Sequence, residues 1–139
     1  MSERVCYADG DTPASQIGAT MEALASTIHA RRETGDSSYT YRLLAGDLDK
    51  LLKKVSEEAL ETALAAKDAD RPDADSREID HLRYEAADVV YHLLVVLERF
   101  GISIEEFSAE LNSRMKPEEL PAGGALIVPE HVNRGRREA

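Results

Sequence analysis

Residues 53–61 read Lys53-Lys54-Val55-Ser56-Glu57-Glu58-Ala59-Leu60-Glu61, and residues 81–92 read His81-Leu82-Arg83-Tyr84-Glu85-Ala86-Ala87-Asp88-Val89-Val90-Tyr91-His92. Together they spell EExxE, a gap, then ExxD. On a helix, positions three or four apart share a face. Leu48, Leu51, Leu52, Val55, Ala59, Ala63 and Ala66 make an apolar stripe on the first segment, with Leu60 and Leu64 on a second apolar side. Glu58 falls ~80° from the centre of that stripe and Glu61 ~140°. On the second segment the stripe is Leu82, Ala86, Val89, Leu93, Val96, Leu97 and Phe100. Glu85 and Asp88 take matching offsets, in the same rotational sense. Packed side by side, the two helices bring two carboxylates each to one place. Four such groups repel in a low dielectric, so a divalent cation is their natural neutraliser. An all-oxygen donor set suits magnesium or manganese. The plainer alternative, a solvated acidic face, is ordinary for either pair alone.

The rest of the chain is read outward from these segments. It has 139 residues, no Trp, 5% aromatics and a formal charge of −10. That length suits one domain, and its Ala, Leu, Glu and Lys favour helix. The charge argues against nucleic acid as the main ligand, which needs a basic surface. Cys6 is the only cysteine, so neither a disulfide framework nor a thiolate cluster is expected. No apolar run reaches membrane-spanning length and no leader pattern opens the chain, so a cytoplasmic protein is expected.

Residues 1–14 are expected to be a flexible arm, with a cap at Ser15. Ile17, Met21, Leu24, Ala25 and Ile28 predict an amphipathic helix over 16–33, with His29 on its surface. A short helix over 39–45 is closed by Gly46, and Asp47 caps a long helix over 48–68. A break at 68–75 precedes a helix over 76–100, stopped by Gly101. Ser103 and Glu106 form a capping box for a helix reaching Met115. An irregular tail over 117–139 holds an apolar stretch, 125–128, able to pair as a strand or lie on the body. It ends in Arg134, Arg136 and Arg137. The expected fold is an all-α bundle of four to five helices spanning residues 15–116. Both long helices have more than one apolar side, so a homodimer is expected.

Ser38-Tyr39-Thr40-Tyr41-Arg42-Leu43-Leu44, the run Asp49–Thr62, Ala65-Ala66-Lys67 and the run Glu85–Val95 resemble the phosphoribosyl-ATP pyrophosphohydrolase family, within the all-α MazG-type nucleotide pyrophosphohydrolases. The likeness covers roughly residues 16–115. Ser56 and Asp47 stand where that family often has Gly, and the region after Met115 departs from it. The resemblance implies the second step of histidine biosynthesis: hydrolysis of phosphoribosyl-ATP to phosphoribosyl-AMP and pyrophosphate. It also implies metal binding by Glu58, Glu61, Glu85 and Asp88, with Glu57 placed to orient either the attacking water or the water of a second metal. Phosphoryl transfer needs positioning and charge neutralisation more than a covalent nucleophile. Lys54 is a candidate for the pyrophosphate end. Arg42, Lys53, Lys67 and His92 are further candidate substrate contacts. The rival readings are a house-cleaning hydrolase of non-standard nucleoside triphosphates, a di-iron bundle, and a non-catalytic helical module. The di-iron bundle needs Glu-x-x-His pairs and ranks low, because His92 follows Asp88 by four residues and the first acidic pair has no His.

Overall fold

The computed structural model describes residues 4–5, 15–35 and 37–132. Cys6, most of the N-terminal arm and the basic end with Arg134, Arg136 and Arg137 lie outside the described residues. The helices are α1 (Ile17–Thr34), α2 (Tyr39–Ala45), α3 (Leu48–Ala69), α4 (Ser76–Arg99) and α5 (Ile104–Asn112). There is no strand among the described residues, so the all-α expectation holds.

Local chemistry sets most boundaries. Ser38 starts α2 by accepting from the backbone N–H of Tyr41, and Asp47 starts α3 by accepting from that of Asp49. Gly46 separates them. A Cβ there would lie 2.6 Å from the Arg42 carbonyl oxygen, so the tight turn requires glycine. Asp75 opens α4 through a two-way capping box with Glu78. Ser103 caps α5 from one side only, accepting from the N–H of Glu106. Two further expectations are corrected. Residue 16, not Ser15, precedes α1, and its side chain makes no capping bond. Helix α5 stops at Asn112 rather than Met115. Of the two readings of the 125–128 stretch, the second holds: it forms no strand and lies along the end of α5. There the Asn112 side-chain amide donates to the Ala125 carbonyl, and the Ile127 N–H donates to Ser113 Oγ.

Helices α3 and α4 form a long hairpin. Its open end is wrapped by α1 and α2, and there the core forms from Ile28, Leu43, Leu44, Leu51, Leu94 and Val95. Polar clasps hold the wrapping. Arg99 Nη1 donates to the Leu43 carbonyl, and Arg32 Nη1 donates to the Glu98 carbonyl. His29 Nδ1 lies 2.9 Å from Glu98 Oε1 on the surface, as expected for His29.

The hairpin seam is only partly the apolar stripe the helical wheel suggests: Leu51 is buried and Val96 and Leu97 pack against the core, but other members are not inside. The buried line on α3 runs through Leu51, Glu58 and Ala65, one heptad apart. Leu52, Ala59, Ala63 and Ala66, expected in the core stripe, are exposed. On α4 the buried residues are Glu85, His92, Leu94 and Val95, while Ala86 and Phe100 are exposed. Two of the four acids thus sit in the seam itself rather than on its flank. Beyond them, no third described element covers the hairpin. Leu60 (61% exposed), Leu64 (56%) and Tyr84 (66%) project from it.

Candidate active site

Seven residues, two turns of α3, separate Leu51 from Glu58, so the apolar seam gives way abruptly to carboxylates. Glu58 is 5% exposed and Glu85 7%. One carboxylate oxygen from each of Glu58, Glu61 and Glu85 lies within 4.8 Å of the others. Glu61 approaches from the solvent side. Asp88 is half-buried one turn along α4, and its carboxylate is not part of this group.

The cluster is met by a nitrogen group at each end. Lys54 Nζ is 3.3 Å from Glu58 Oε1, and His81 Nε2 is 2.9 Å from Glu85 Oε1. Burial on its own pushes the Glu58 carboxyl up. The hydrogen bonds from Lys54 and Glu61, with the Lys54 charge, outweigh that and leave it below the usual carboxylate range. Glu61 is pushed the other way, first by its hydrogen bond to Glu58, then by burial and by the Glu85 charge. Lys54 is held above its usual value, chiefly by its hydrogen bond to Glu58. The crowding is thus answered unequally, with the Glu58 carboxyl shifted down and that of Glu61 up. Three close carboxylates on two rigid helices, all-oxygen and partly buried, fit a hard divalent ion.

Behind the cluster stands a hydrogen-bonded column. His92 is 4% exposed. Its Nδ1 donates to the Asp88 carbonyl at 2.9 Å, which leaves Nε2 as the acceptor for Tyr39 Oη at 3.1 Å. The Tyr39 phenol is pushed up, first by burial and further by the charges of Glu58 and Asp88, against the opposing effect of Lys54. It stays a donor at neutral pH. Thr40 Oγ1 and the Tyr91 hydroxyl share a short hydrogen bond, and the rings of Tyr39 and Tyr91 stack with centroids 6.5 Å apart. Tyr91 and His92 meet edge to face.

Beside Lys54 opens a cavity of about 640 Å³ between α2 and the first half of α3. Arg42, Lys50, Lys53 and Lys54 line it, with Tyr39 and Tyr41 on the α2 side. Its acids are Asp47 and Glu57. Glu57 lies 3.5 Å from both Lys53 Nζ and Lys54 Nζ.

The residues singled out from sequence fall into three places. Glu58, Glu61 and Glu85 converge. Arg42, Lys53, Lys54 and Glu57 line the cavity, and Glu57 faces the lysines rather than the other acids. His92 is enclosed with both ring nitrogens engaged, and Tyr39 stands between it and the cavity. Lys67 is exposed in the last turn of α3, outside the cavity lining. Reading the sequence missed Lys50 and Tyr39. The one signal for Lys50 was its place one turn before Lys54 on α3.

A model described as phosphoribosyl-ATP pyrophosphohydrolase matches residues 21–115. Among curated proteins, the phosphoribosyl-ATP pyrophosphatase of Pyrobaculum calidifontis is 43% identical over 69% of this chain and 95% of its own. That of Nitrosomonas eutropha is 40% identical over 68% and 74%. The histidine biosynthesis bifunctional protein HisIE of Deinococcus radiodurans is 40% identical over 76% of this chain and 45% of its own. The chain thus spans less than half the length of the bifunctional relatives it matches, and most of the length of the single-function ones. No solved structure matches. The carboxylate signature, the all-α hairpin that gathers it and these matches agree: the chain belongs to the phosphoribosyl-ATP pyrophosphohydrolase family.

Proposed function

We propose that the chain hydrolyses phosphoribosyl-ATP to phosphoribosyl-AMP and pyrophosphate, the second step of histidine biosynthesis. Water attacks the α–β phosphoanhydride; one P–O bond forms, the bridging P–O bond breaks, and pyrophosphate departs. The observation that carries this reading is the meeting of Glu58, Glu61 and Glu85 within 4.8 Å, beside a lysine-lined cavity. Glu58, Glu61 and Glu85 would hold magnesium, or manganese in its stead, with Asp88 one turn away as the fourth ligand. Bound there, the ion would neutralise phosphate charge and acidify a water. Glu57 orients water from the lysine side. Lys53 and Lys54 present ammonium groups to the phosphate chain, and Arg42 faces the same cavity. Lys67 meets the substrate only if the phosphate chain extends along α3 toward its C-terminal end.

The working unit is a homodimer in this reading. The distal half of the α3–α4 hairpin leaves Leu60, Leu64 and Tyr84 in water with no third described element over them. A two-helix projection with apolar sides gains most of its stability from tertiary packing. A second copy of the same hairpin offers a self-complementary surface. Light scattering is expected to give twice the mass of the 15.3 kDa chain, and the Leu64→Glu variant to give the mass of a single chain. No described helix is long and apolar enough to cross a membrane, and the site of action is the cytoplasm.

The deciding assay is pyrophosphate release with and without magnesium, beside ATP and dUTP. Magnesium-dependent release from phosphoribosyl-ATP alone supports the proposal. Release only from the controls moves the function to clearance of other nucleotides. No release from any of the three leaves a non-catalytic helical module.

A further inference from the structure

The cavity is larger and reaches further than a departing pyrophosphate needs. Glu58 marks the carboxylate cluster. Lys54 is one turn back along α3, and Lys50 two turns back, roughly 12 Å along the axis at 1.5 Å per residue. A pyrophosphate seated at the carboxylates reaches Lys54; two turns is beyond it. Yet cations continue that far. Lys50 and Arg42 both line the cavity, Lys50 two turns from the cluster, and Lys50 makes no ion pair with a described residue. Four cations stand against two acids there, in a chain of net charge −10. The cavity selects an anion.

The opposite wall has a different chemistry. Tyr39 and Tyr41 project from α2, with Leu43 and Ala45 beside them. Aromatic faces accept a purine by stacking. A volume of about 640 Å³ falls in the range that encloses a small organic ligand rather than a bare diphosphate. The substrate of the proposed reaction has two anionic ends: the triphosphate of ATP and the monophosphate of the added ribosyl group. The cluster takes the first. We infer that the cavity takes the second, with Lys50 and Arg42 binding the phosphoribosyl phosphate and the α2 tyrosines flanking the nucleoside between. Lys50 and Arg42 are thereby the residues that separate phosphoribosyl-ATP from ATP. This rests on the proposed reaction for the identity of the ligand, but its test does not depend on turnover.

The experiment is titration calorimetry with three probes: phosphoribosyl-AMP, AMP and pyrophosphate, each with magnesium, at one ionic strength. The native chain is expected to bind phosphoribosyl-AMP at least tenfold more tightly than AMP. Lys50→Gln is expected to weaken phosphoribosyl-AMP about tenfold, as loss of one charge-assisted phosphate contact does, and to leave AMP and pyrophosphate within about twofold. Arg42→Gln is expected to act in the same direction; because Arg42 Nη1 also donates to the Ser37 carbonyl, the exposed Lys50 is the cleaner probe. Equal affinity of the native chain for phosphoribosyl-AMP and AMP would overturn the inference. So would a Lys50→Gln variant that binds all three probes as the native chain does, or one that loses pyrophosphate most. Pyrophosphate release from phosphoribosyl-ATP, measured separately, reports on the reaction itself. Its absence with the calorimetric pattern intact would remove the reaction and keep the site.

Discussion

The two ends of the α3–α4 seam are built from one helix pair and do opposite things. At the open end Leu51, Leu94 and Val95 pack under α1 and α2, and every group there favours folding. Two turns away Glu58 and Glu85 occupy equivalent inward positions, and each charge buried there opposes folding until it is paired. The apolar end holds the helices at a fixed spacing. The acidic end uses that spacing to keep three carboxylates within 4.8 Å, a separation that free side chains in water would not keep. Stability is concentrated at one end so that strain can be carried at the other, the usual arrangement of preorganised sites.

The contrast can be broken most sharply at Glu58. Glu58→Gln keeps shape and removes charge. Turnover of phosphoribosyl-ATP is expected to fall about a thousandfold or more, roughly 4 kcal/mol of barrier. The unfolding midpoint without metal is expected to fall, because the folded chain favours the Glu58 charge through Lys54 more than burial opposes it. Glu61→Gln and Asp88→Asn should also abolish turnover with helical content intact. Near-native turnover in any of the three would remove that carboxylate from the site. A rise in midpoint for Glu58→Gln would show that repulsion with Glu61 and Glu85 outweighs its ion pair with Lys54.

Leu51→Ala tests the other end. Leu51 is fully buried, and truncation there costs about 3 kcal/mol, within the usual span for a leucine cavity. Denaturant unfolding is expected to show that loss, while turnover per folded molecule stays close to native. A large loss of turnover with little loss of stability would mean that the two ends are not separable.

Magnesium sharpens the same distinction. An ion that binds only the folded chain at a hundredfold excess over its Kd adds roughly 2.7 kcal/mol. The native midpoint should rise on adding magnesium, that of Leu51→Ala should rise by the same free energy, and that of Glu58→Gln should hardly move. Equal rises in all three would place the ion elsewhere.

Much of this was legible before any coordinates. The carboxylate spacing named Glu58, Glu61 and Glu85, and Asp47 and Gly46 marked the α2–α3 corner, because caps and turns are local chemistry. What failed was the assumption that burial follows hydropathy. A wheel centred on Leu52, Ala59, Ala63 and Ala66 put those residues inside and Glu58 on the flank. The seam runs along one edge of that stripe, keeping Leu51 but passing on through Glu58 and Ala65, and Ala59, Ala63 and Ala66 face out. A candidate functional site is where that assumption is expected to fail, because hydropathy records the cost of burying a charge and not any use for it. The cavity was illegible for another reason. Arg42 and Tyr39 on α2 meet Lys50 and Lys54 on α3 only because Gly46 turns the chain sharply between them, and no periodicity records a turn's direction.

Tyr39 sits where the two ends meet. Its hydroxyl donates to His92, which in turn holds the Asp88 carbonyl. Tyr39→Phe deletes one hydrogen bond of this column and leaves the ring beside the cavity. Turnover is expected to fall five- to tenfold, about 1 kcal/mol, in line with one neutral hydrogen bond. The loss should appear in kcat if the column positions Asp88, and in KM if the hydroxyl itself meets the nucleoside. Unchanged kinetics would make the column structural.

The smallest expected effect lies at the closed turn of the hairpin, away from both ends. Asp75 accepts from Arg77 at the N-terminus of α4. Its carboxyl is held down to about 2, chiefly by the Arg77 side-chain hydrogen bond and then by that residue's backbone N–H, against an ordinary value of 3.8. A carboxyl depressed in the folded chain lends stability at pH values above its unfolded value, and that stability drains away as pH falls from about 4 toward 2. The group is on the surface, so the effect is local fraying of the first turn of α4 rather than unfolding. Amide exchange at Ser76–Glu78 should quicken relative to intrinsic rates across that window, while the amides of Leu94 and Val95 stay protected. Asp75→Asn, which can still cap but carries no charge, should flatten the pH dependence and keep most of the protection. If instead the Asp75→Asn variant frayed at neutral pH as much as the acidified native chain does, the charge rather than the cap's hydrogen bonds would be what anchors the turn. The acidic cluster about ten residues further along α4 would then stand on a helix whose start depends on pH.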